Sequence, residues 1–505
     1  MFLNFDGHQS SPISPQHSAS LCRTERARGF LLLCEVTVLL SICLGSPPAE
    51  AQPGLDNDTT TASKPHPLCP LPSYEGVSRP TGPNILLLAV DTLRRDRLGL
   101  YGHPRPTSAH LDALAEESWV YDHAIAAAPW TTPSFAGMLT GHHPGALGMG
   151  YDPESLPAEI PTLAEELSGR GYATAGVVSH FFIGTKFHFN RGFDFWDQRA
   201  AGGHAQISSD IVSNLSLHCL DALASTERPF FLWAHYFDPH YDYLNHPEFS
   251  FSDGYKGSVR SRNDNFEDLR GLAKQGKMTD ADRQYLLDLY DSEIAFTDSH
   301  IGRVLNRLKE KGLYDDTLVV VLADHGEMFG FRNGRWIGHT QYLWDELIRV
   351  PLIVKLPSSS FLPKRKGRIA TPVSLVDLKS SLLALIDPDI SPTRTWIPDA
   401  DGRVRAAPVF SQTRRWRELD AMIDGHWKMV LDQKTERVLL YDLKQDPGEL
   451  QNVAGQHTER VAEMKEQLLL WNKSLQLSAS KLTGRLAPRL TDEEVETMRS
   501  LGYIQ

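Results

Sequence analysis

An α/β fold, a mostly parallel sheet sandwiched by helices and followed by a smaller C-terminal α+β subdomain, is what this sequence predicts. Three observations predict it. Nearly unbroken apolar runs, such as residues 84–90 and 317–322, suit strands whose two faces both meet apolar partners, as in a parallel sheet. These runs alternate with amphipathic helical segments from Asn84 to about Ile386. After about residue 400 the texture shifts to short apolar runs separated by tight turns.

Taken in order, the chain opens on a leader. Arg23, Arg26 and Arg28 precede an apolar stretch at 29–44, and Ala49-Glu50-Ala51 offers a small-x-small cleavage site. Residues 1–51 therefore read as an export signal, with a periplasmic or secreted product. Glu35 interrupts the stretch, and an uncleaved anchor is the alternative and the one route to a membrane. Residues 52–80, rich in Pro, Thr, Ser and Asp, read as a flexible tether. A catalytic domain is expected over 81–400 and the α+β subdomain over 401–505. With the leader removed, Cys69 and Cys219 remain; they can pair, but a disulfide scaffold and a cysteine-cluster metal site are excluded. Across 505 residues the formal charge is -12, which argues against a nucleic-acid partner.

Within 81–400, strands are expected at 84–90, 173–178, 230–234, 317–323 and 350–354, with helices at 160–167 and 282–311. Gly312 suits the left-handed cap that closes the second of these. Pro133 suits the first turn of another helix, which places Thr131 at that helix's N-terminus. Beyond 400, residues 421–423, a turn at Gly425, 427–430 and 438–441 read as antiparallel strands, with helices near 457–475 and 491–500.

The chemistry gathers where strands end. The run 317–322 leads into Ala323-Asp324-His325-Gly326-Glu327, and the run 84–90 leads into Asp91. Reacting groups in open α/β sheets collect beyond the carboxyl ends of such strands, and carboxylate and imidazole there can share one divalent cation. The plain alternative is a strand-ending Asp in a turn beside an incidental His. Thr131 faces the free N–H groups of a helix start, which favour an anion. A simple helix N-cap is its plain alternative.

Five ordered motifs carry a family resemblance: Val90-Asp91-Thr92-Leu93-Arg94; Trp130-Thr131-Thr132-Pro133-Ser134 with Leu139-Thr140-Gly141; Phe237-Asp238-Pro239-His240; Ala323-Asp324-His325-Gly326-Glu327; and Gly338-His339 followed by Asp345-Glu346-Leu347-Ile348-Arg349-Val350-Pro351. Together with Leu440-Tyr441-Asp442-Leu443 and Asp446-Pro447-Gly448-Glu449-Leu450, the chain resembles the sulfatase-like branch of the alkaline phosphatase superfamily over about 82–455. The resemblance implies an alkaline-phosphatase-like fold and one divalent metal ion (Ca, Mg, Mn or Zn). It implies Asp91, Asp324 and His325 as ligands, with the Thr131 oxygen completing the shell. His240 and His339 are the implied acid/base groups, and His235 is either a third or a packed histidine. Glu327 would orient a ligand. Arg94 would contact the substrate anion or form an ion pair.

The sequence departs from that family at three places. Thr131 stands where sulfatases proper carry a Cys or Ser oxidised to formylglycine, and Phe135 stands where they carry Arg. Thr92 replaces a second aspartate. The Gly-Lys-x-His segment is not intact: the chain reads Val178-Ser179-His180-Phe181, then Thr185-Lys186-Phe187-His188. Threonine cannot yield the aldehyde, so the expected activity is hydrolysis of sulfate or phosphate/phosphonate esters with Thr131 as nucleophile. A phosphoethanolamine-type transferase and an inactive secreted binding protein are the alternatives. The expected substrate is a small-molecule or glycan/lipid anionic ester, met by loops at 184–190 and 241–262 and by Arg414-Arg415-Trp416-Arg417.

Overall fold

A computed structural model describes residues 69–202, 208–260, 266–332, 336–362 and 366–483, with a few positions between 488 and 495. The predicted leader, the tether before residue 69 and most of the helix expected at 491–500 lie outside the described residues. Among the described residues no helix is long and apolar enough to cross a membrane.

The eight-stranded sheet uses β1 (Asn84–Val90), β2 (Trp119–Tyr121), β3 (Ala173–Val177), β4 (Phe195–Asp197), β5 (Phe230–Tyr236), β6 (Thr317–Ala323), β7 (Leu352–Lys355) and β8 (Gly367–Ile369). Their spatial order is β8-β2-β7-β6-β1-β5-β3-β4. β1 sits at the centre, parallel to β5 and β6, and every residue of β5 and β6 is buried. This explains the unbroken apolar runs, because polar residues would have no water on either face. The sheet is mixed rather than wholly parallel: β7 runs antiparallel to both β6 and β2. The chain folds back from β6 to β7 through a long loop region that carries only a short helix, Asp345–Ile348.

Helices cover the sheet. Those that matter below are α1 (Thr131–Thr140), α2 (Pro144–Leu147), α3 (Leu163–Gly169), α4 (Ser209–Ser225) and α5 (Asp280–Glu310). Thr162 and Thr279 form capping boxes with Glu165 and Asp282, which start α3 and α5 where two orphan backbone donors would otherwise face water. Gly312 closes α5 with φ +67. On α4, the Cys219 thiol lies against Cys69; both are buried free thiols, and that contact and burial push the Cys219 pKa up.

The C-terminal layer is an antiparallel sheet of β9 (Val409–Thr413), β10 (Leu419–Asp424), β11 (Trp427–Asp432) and β12 (Val438–Asp442), backed by α6 (Thr458–Ala479). It has its own apolar cluster of Met422, Met429, Leu431, Leu440, Met464 and Leu468. β9 was absent from the expected strands, since Ser411, Gln412 and Thr413 break its apolar pattern. All three are buried, and Gln412 N–H donates to the Ala127 carbonyl, 2.9 Å, where the layer meets the main domain.

Candidate active site

Register brings the two strand-end carboxylates together. Val90 of β1 pairs with Ala323 of β6, so Asp91 and Asp324 leave neighbouring strands at the same level. Ala89 pairs with His235 of β5. Side chains alternate along strands, so His235 shares a face with Ala89 and Asp91. The His235 Nε2 lies 3.6 Å from Asp91 Oδ2, and its ring packs edge-on against Phe135 with centroids 5.1 Å apart. His235 is thus both a packed histidine and a neighbour of the cluster.

α1 delivers Thr131 to the same point. Trp130 holds the N-cap position in extended conformation, and Thr131 is the first helical residue, so the simple N-cap reading does not hold. The Thr131 Oγ1 lies 3.3 Å from His325 Nε2. Ser134 Oγ donates to the Asp324 carbonyl, 2.7 Å, tying the first turn of α1 to the exit of β6.

The histidine tautomers follow from their partners. His325 Nδ1 sits 3.0 Å from the Gly326 carbonyl, which can only accept, so Nδ1 carries the proton and Nε2 presents its lone pair. That lone pair is 3.7 Å from Asp91 Oδ1 and 3.4 Å from Asp324 Oδ2. His240 has the same arrangement, with Nδ1 2.9 Å from the Tyr241 carbonyl. His180 is opposite: its Nδ1 accepts from Phe182 N–H, 3.1 Å, so the neutral ring carries its proton on Nε2, 3.9 Å from Asp91 Oδ2. His180 therefore offers the site a donor rather than a ligand.

Asp91, Asp324 and His325 place one ligand atom each within 4.8 Å of one another, all buried. Neither oxygen of Asp91 has a hydrogen-bond partner among the described residues. Burial and the Asp324 and Glu327 carboxylates push the Asp91 pKa well above the usual range, and burial raises Asp324 to about 7. Burial holds His325 well below its usual value and lowers His235 and His240 to about 3, so the imidazoles stay neutral. Two buried carboxylates facing a bare imidazole lone pair and a hydroxyl oxygen fit a divalent cation. Asp324 Oδ1 is already fixed by the N–H groups of Thr92 (3.2 Å) and His325 (2.9 Å), which aims its other oxygen inward.

The remaining candidates fall into place around this cluster. His339 packs on His325 with ring centroids 4.5 Å apart, and its Nδ1 lies 3.2 Å from Glu327 Oε1. His240 meets His339 edge-on at 5.1 Å. Glu327 is fully buried and orients His339 rather than joining the ligand cluster. Arg94 turns away: it pairs with Asp96 at 2.7 Å and reaches the Glu327 carbonyl at 3.0 Å, which is the ion-pair reading. Arg414 likewise pairs with Asp420, 2.7 Å. His188 is half-buried and Lys186 pairs with Glu494, so of the two loosely matched histidines it is His180 that meets the site. The signal for His180 was its place just beyond β3, one strand removed from the motif-bearing ones.

The sulfatase family model matches residues 83–388. The chain belongs to the sulfatase family. It is 30% identical over 340 residues to the ulvan-active sulfatase of Formosa agariphila, covering 62% of this chain and 63% of that protein, which is under two thirds of the relative's length. In fold it is similar to a protein solved in complex with its substrate D-glucosamine-2-N,6-O-disulfate (TM-score 0.63, 18% identity, 79% of this chain and 98% of that one). It is also similar to the phosphonate monoester hydrolase of Agrobacterium radiobacter (TM-score 0.60, 20% identity, 81% of this chain and all of that one). These likenesses bear out the expected alkaline-phosphatase-like fold, a mostly parallel sheet sandwiched by helices with a smaller C-terminal α+β subdomain.

Proposed function

We propose that this sulfatase-family chain is a metal-dependent hydrolase of sulfate or phosphate/phosphonate esters that uses Thr131 as its nucleophile. The observation that carries the reading is the Thr131 hydroxyl, 3.3 Å from His325 Nε2, inside the cluster of Asp91, Asp324 and His325. A divalent cation held by those three residues would lower the hydroxyl's pKa and neutralise charge on the ester oxygens.

The chain's own groups supply the rest. The first-turn N–H groups of α1 and the Nε2–H of His180 favour the oxyanion. His339, backed by the Glu327 carboxylate, takes the Thr131 proton as the bond from Oγ1 to phosphorus or sulfur forms. That proton passes to the departing alcohol oxygen as its ester bond breaks. Water, deprotonated by His339 or His240, then attacks phosphorus or sulfur; the bond to Oγ1 breaks, Oγ1 takes that proton back, and sulfate, phosphate or phosphonate leaves. Threonine carries one hydroxyl, so its ester has no internal route to elimination and must wait for water.

Purified protein screened against an aryl sulfate, phosphate mono- and diesters and an aryl phosphonate ester tests this, with metal content measured alongside. Metal-dependent turnover that disappears in Thr131→Ala is expected. Turnover surviving in that variant removes Thr131 from the mechanism.

A further inference from the structure

A cavity of about 400 Å³ gathers four guanidiniums that the chemistry above does not use. Arg94 and Arg95 reach it from the segment after β1, Arg332 from the loop after Glu327, and Arg349 from just past the short helix Asp345–Ile348. Phe331 and Leu450 also line it. Three of the four cations are matched. Arg94 meets both oxygens of Asp96, at 2.9 and 2.7 Å. Arg332 Nε donates to Glu346 Oε1, 3.2 Å, and Nη1 to the Glu449 carbonyl, 2.9 Å. Arg349 Nη1 donates to Asp345 Oδ2, 3.4 Å, and Nε to the Asp122 carbonyl, 2.8 Å.

Arg95 is not matched. The one carboxylate within reach among the described residues, Asp122, stands 4.0 Å away and is paired with Arg368. The Arg95 Nε is buried with no hydrogen-bond partner among the described residues. The guanidinium lies 4.3 Å over the Tyr101 ring, which steadies it without neutralising it. Burial and the charge of Arg349 lower the Arg95 pKa, so the cation sits where the protein alone does not favour it. The other two lining side chains are apolar and open: Phe331 is 51% exposed and Leu450 75%. A planar fork with one uncompensated charge suits a carboxylate, whose two oxygens match two parallel N–H groups, and an apolar wall suits a hydrocarbon body.

We propose that this cavity is a binding site for a small monocarboxylate with an apolar body. Arg95 forks the carboxylate, and Phe331 and Leu450 cover the hydrocarbon part. The site uses none of Asp91, Thr131, Asp324 or His325, so it stands apart from the ester-hydrolase reading and does not depend on it.

Calorimetric titration of the full-length protein with hydrocinnamate tests this. Saturable binding of one ligand per chain is expected, with the neutral alcohol of the same skeleton, phenylpropanol, weaker by about ten-fold or more. Arg95→Gln removes the charge and weakens hydrocinnamate binding by about ten-fold or more. Leu450→Asp, at a position too exposed for the fold to need its side chain, weakens it about three-fold or more. Asp324→Asn disrupts the candidate cation cluster yet keeps hydrocinnamate binding, which separates the cavity from an anion held at a catalytic metal. Absence of saturable binding, or equal binding of the alcohol, overturns the proposal. So does binding that Arg95→Gln or Leu450→Asp leaves unchanged, and so does binding that Asp324→Asn abolishes.

Discussion

At Thr131 the side chain does no work for the helix that carries it. Trp130 occupies the cap position, and the Thr131 hydroxyl faces His325 rather than a backbone N–H. Thr131→Ala gives up no cap but does remove a buried methyl, so it should cost about 1 kcal/mol, yet reduce turnover by about three orders of magnitude or more. Thr131→Ser should retain activity, and a melting curve beside the rate assay separates the two effects. Asp324 gives the complementary case. Burial raises its pKa to about 7 and keeps Asp91 well above the usual range, so the metal-free site holds carboxylates that lose stability on ionising. Asp324→Asn should lose bound metal by elemental analysis. It should also remove the rise in melting temperature that added divalent cation gives the native protein. An unchanged rise would take Asp324 out of the ligand set.

Among elements, the exits of β1 and β6 were legible because two apolar runs each stop at a carboxylate, and that repetition weighs against a turn Asp beside an incidental His. Thr131 was legible through Pro133, which marks a helix start wherever the following turn is unobstructed. His180 was only half-legible. It follows a short strand, its neighbours match no motif closely, and only the sheet order places β3 beside β5 and so beside Asp91. The polar strand β9 escaped because Ser411, Gln412 and Thr413 break its apolar pattern yet are buried against another layer of the molecule. There the Gln412 N–H donates to the Ala127 carbonyl and the Thr413 hydroxyl to the Thr340 carbonyl. The clamp between α5 and β1 was equally invisible: the Tyr290 hydroxyl donates to the Thr92 carbonyl, 2.7 Å, and accepts from Arg94 N–H, 2.8 Å. It holds Thr92 at φ +54, where the Thr92 N–H fixes Asp324 Oδ1. Tyr290→Phe leaves both groups without their partner, at about 1–3 kcal/mol each. It should lower the melting temperature and weaken divalent-metal affinity about ten-fold or more, read by metal titration.

Over the whole molecule, the main domain and the C-terminal layer meet where α2 packs on α6, and His143 stands at that seam. Its ring lies 5.1 Å from Trp471 and 6.3 Å from Phe410, both edge-on, and its Nδ1 is buried with no hydrogen-bond partner among the described residues. Burial, with smaller contributions from Arg394 and His142, lowers its pKa to about 3. The folded protein thus holds His143 neutral well below the pH at which the unfolded chain, near 6.5, would bind a proton. For a depressed histidine the stability is fully present above about pH 6.5 and drains away as pH falls toward 3, since acid favours the unfolded state that takes up the proton. One unit below 6.5 this amounts to about 1.4 kcal/mol. The buried histidines of the candidate site add losses of the same sign, so the informative quantity is a difference between proteins. His143→Phe keeps a ring against Trp471 but cannot titrate. Its melting temperature should fall less than that of the native protein between pH 7.5 and pH 5.5. Parallel falls would mean that His143 gains its proton without disturbing the seam.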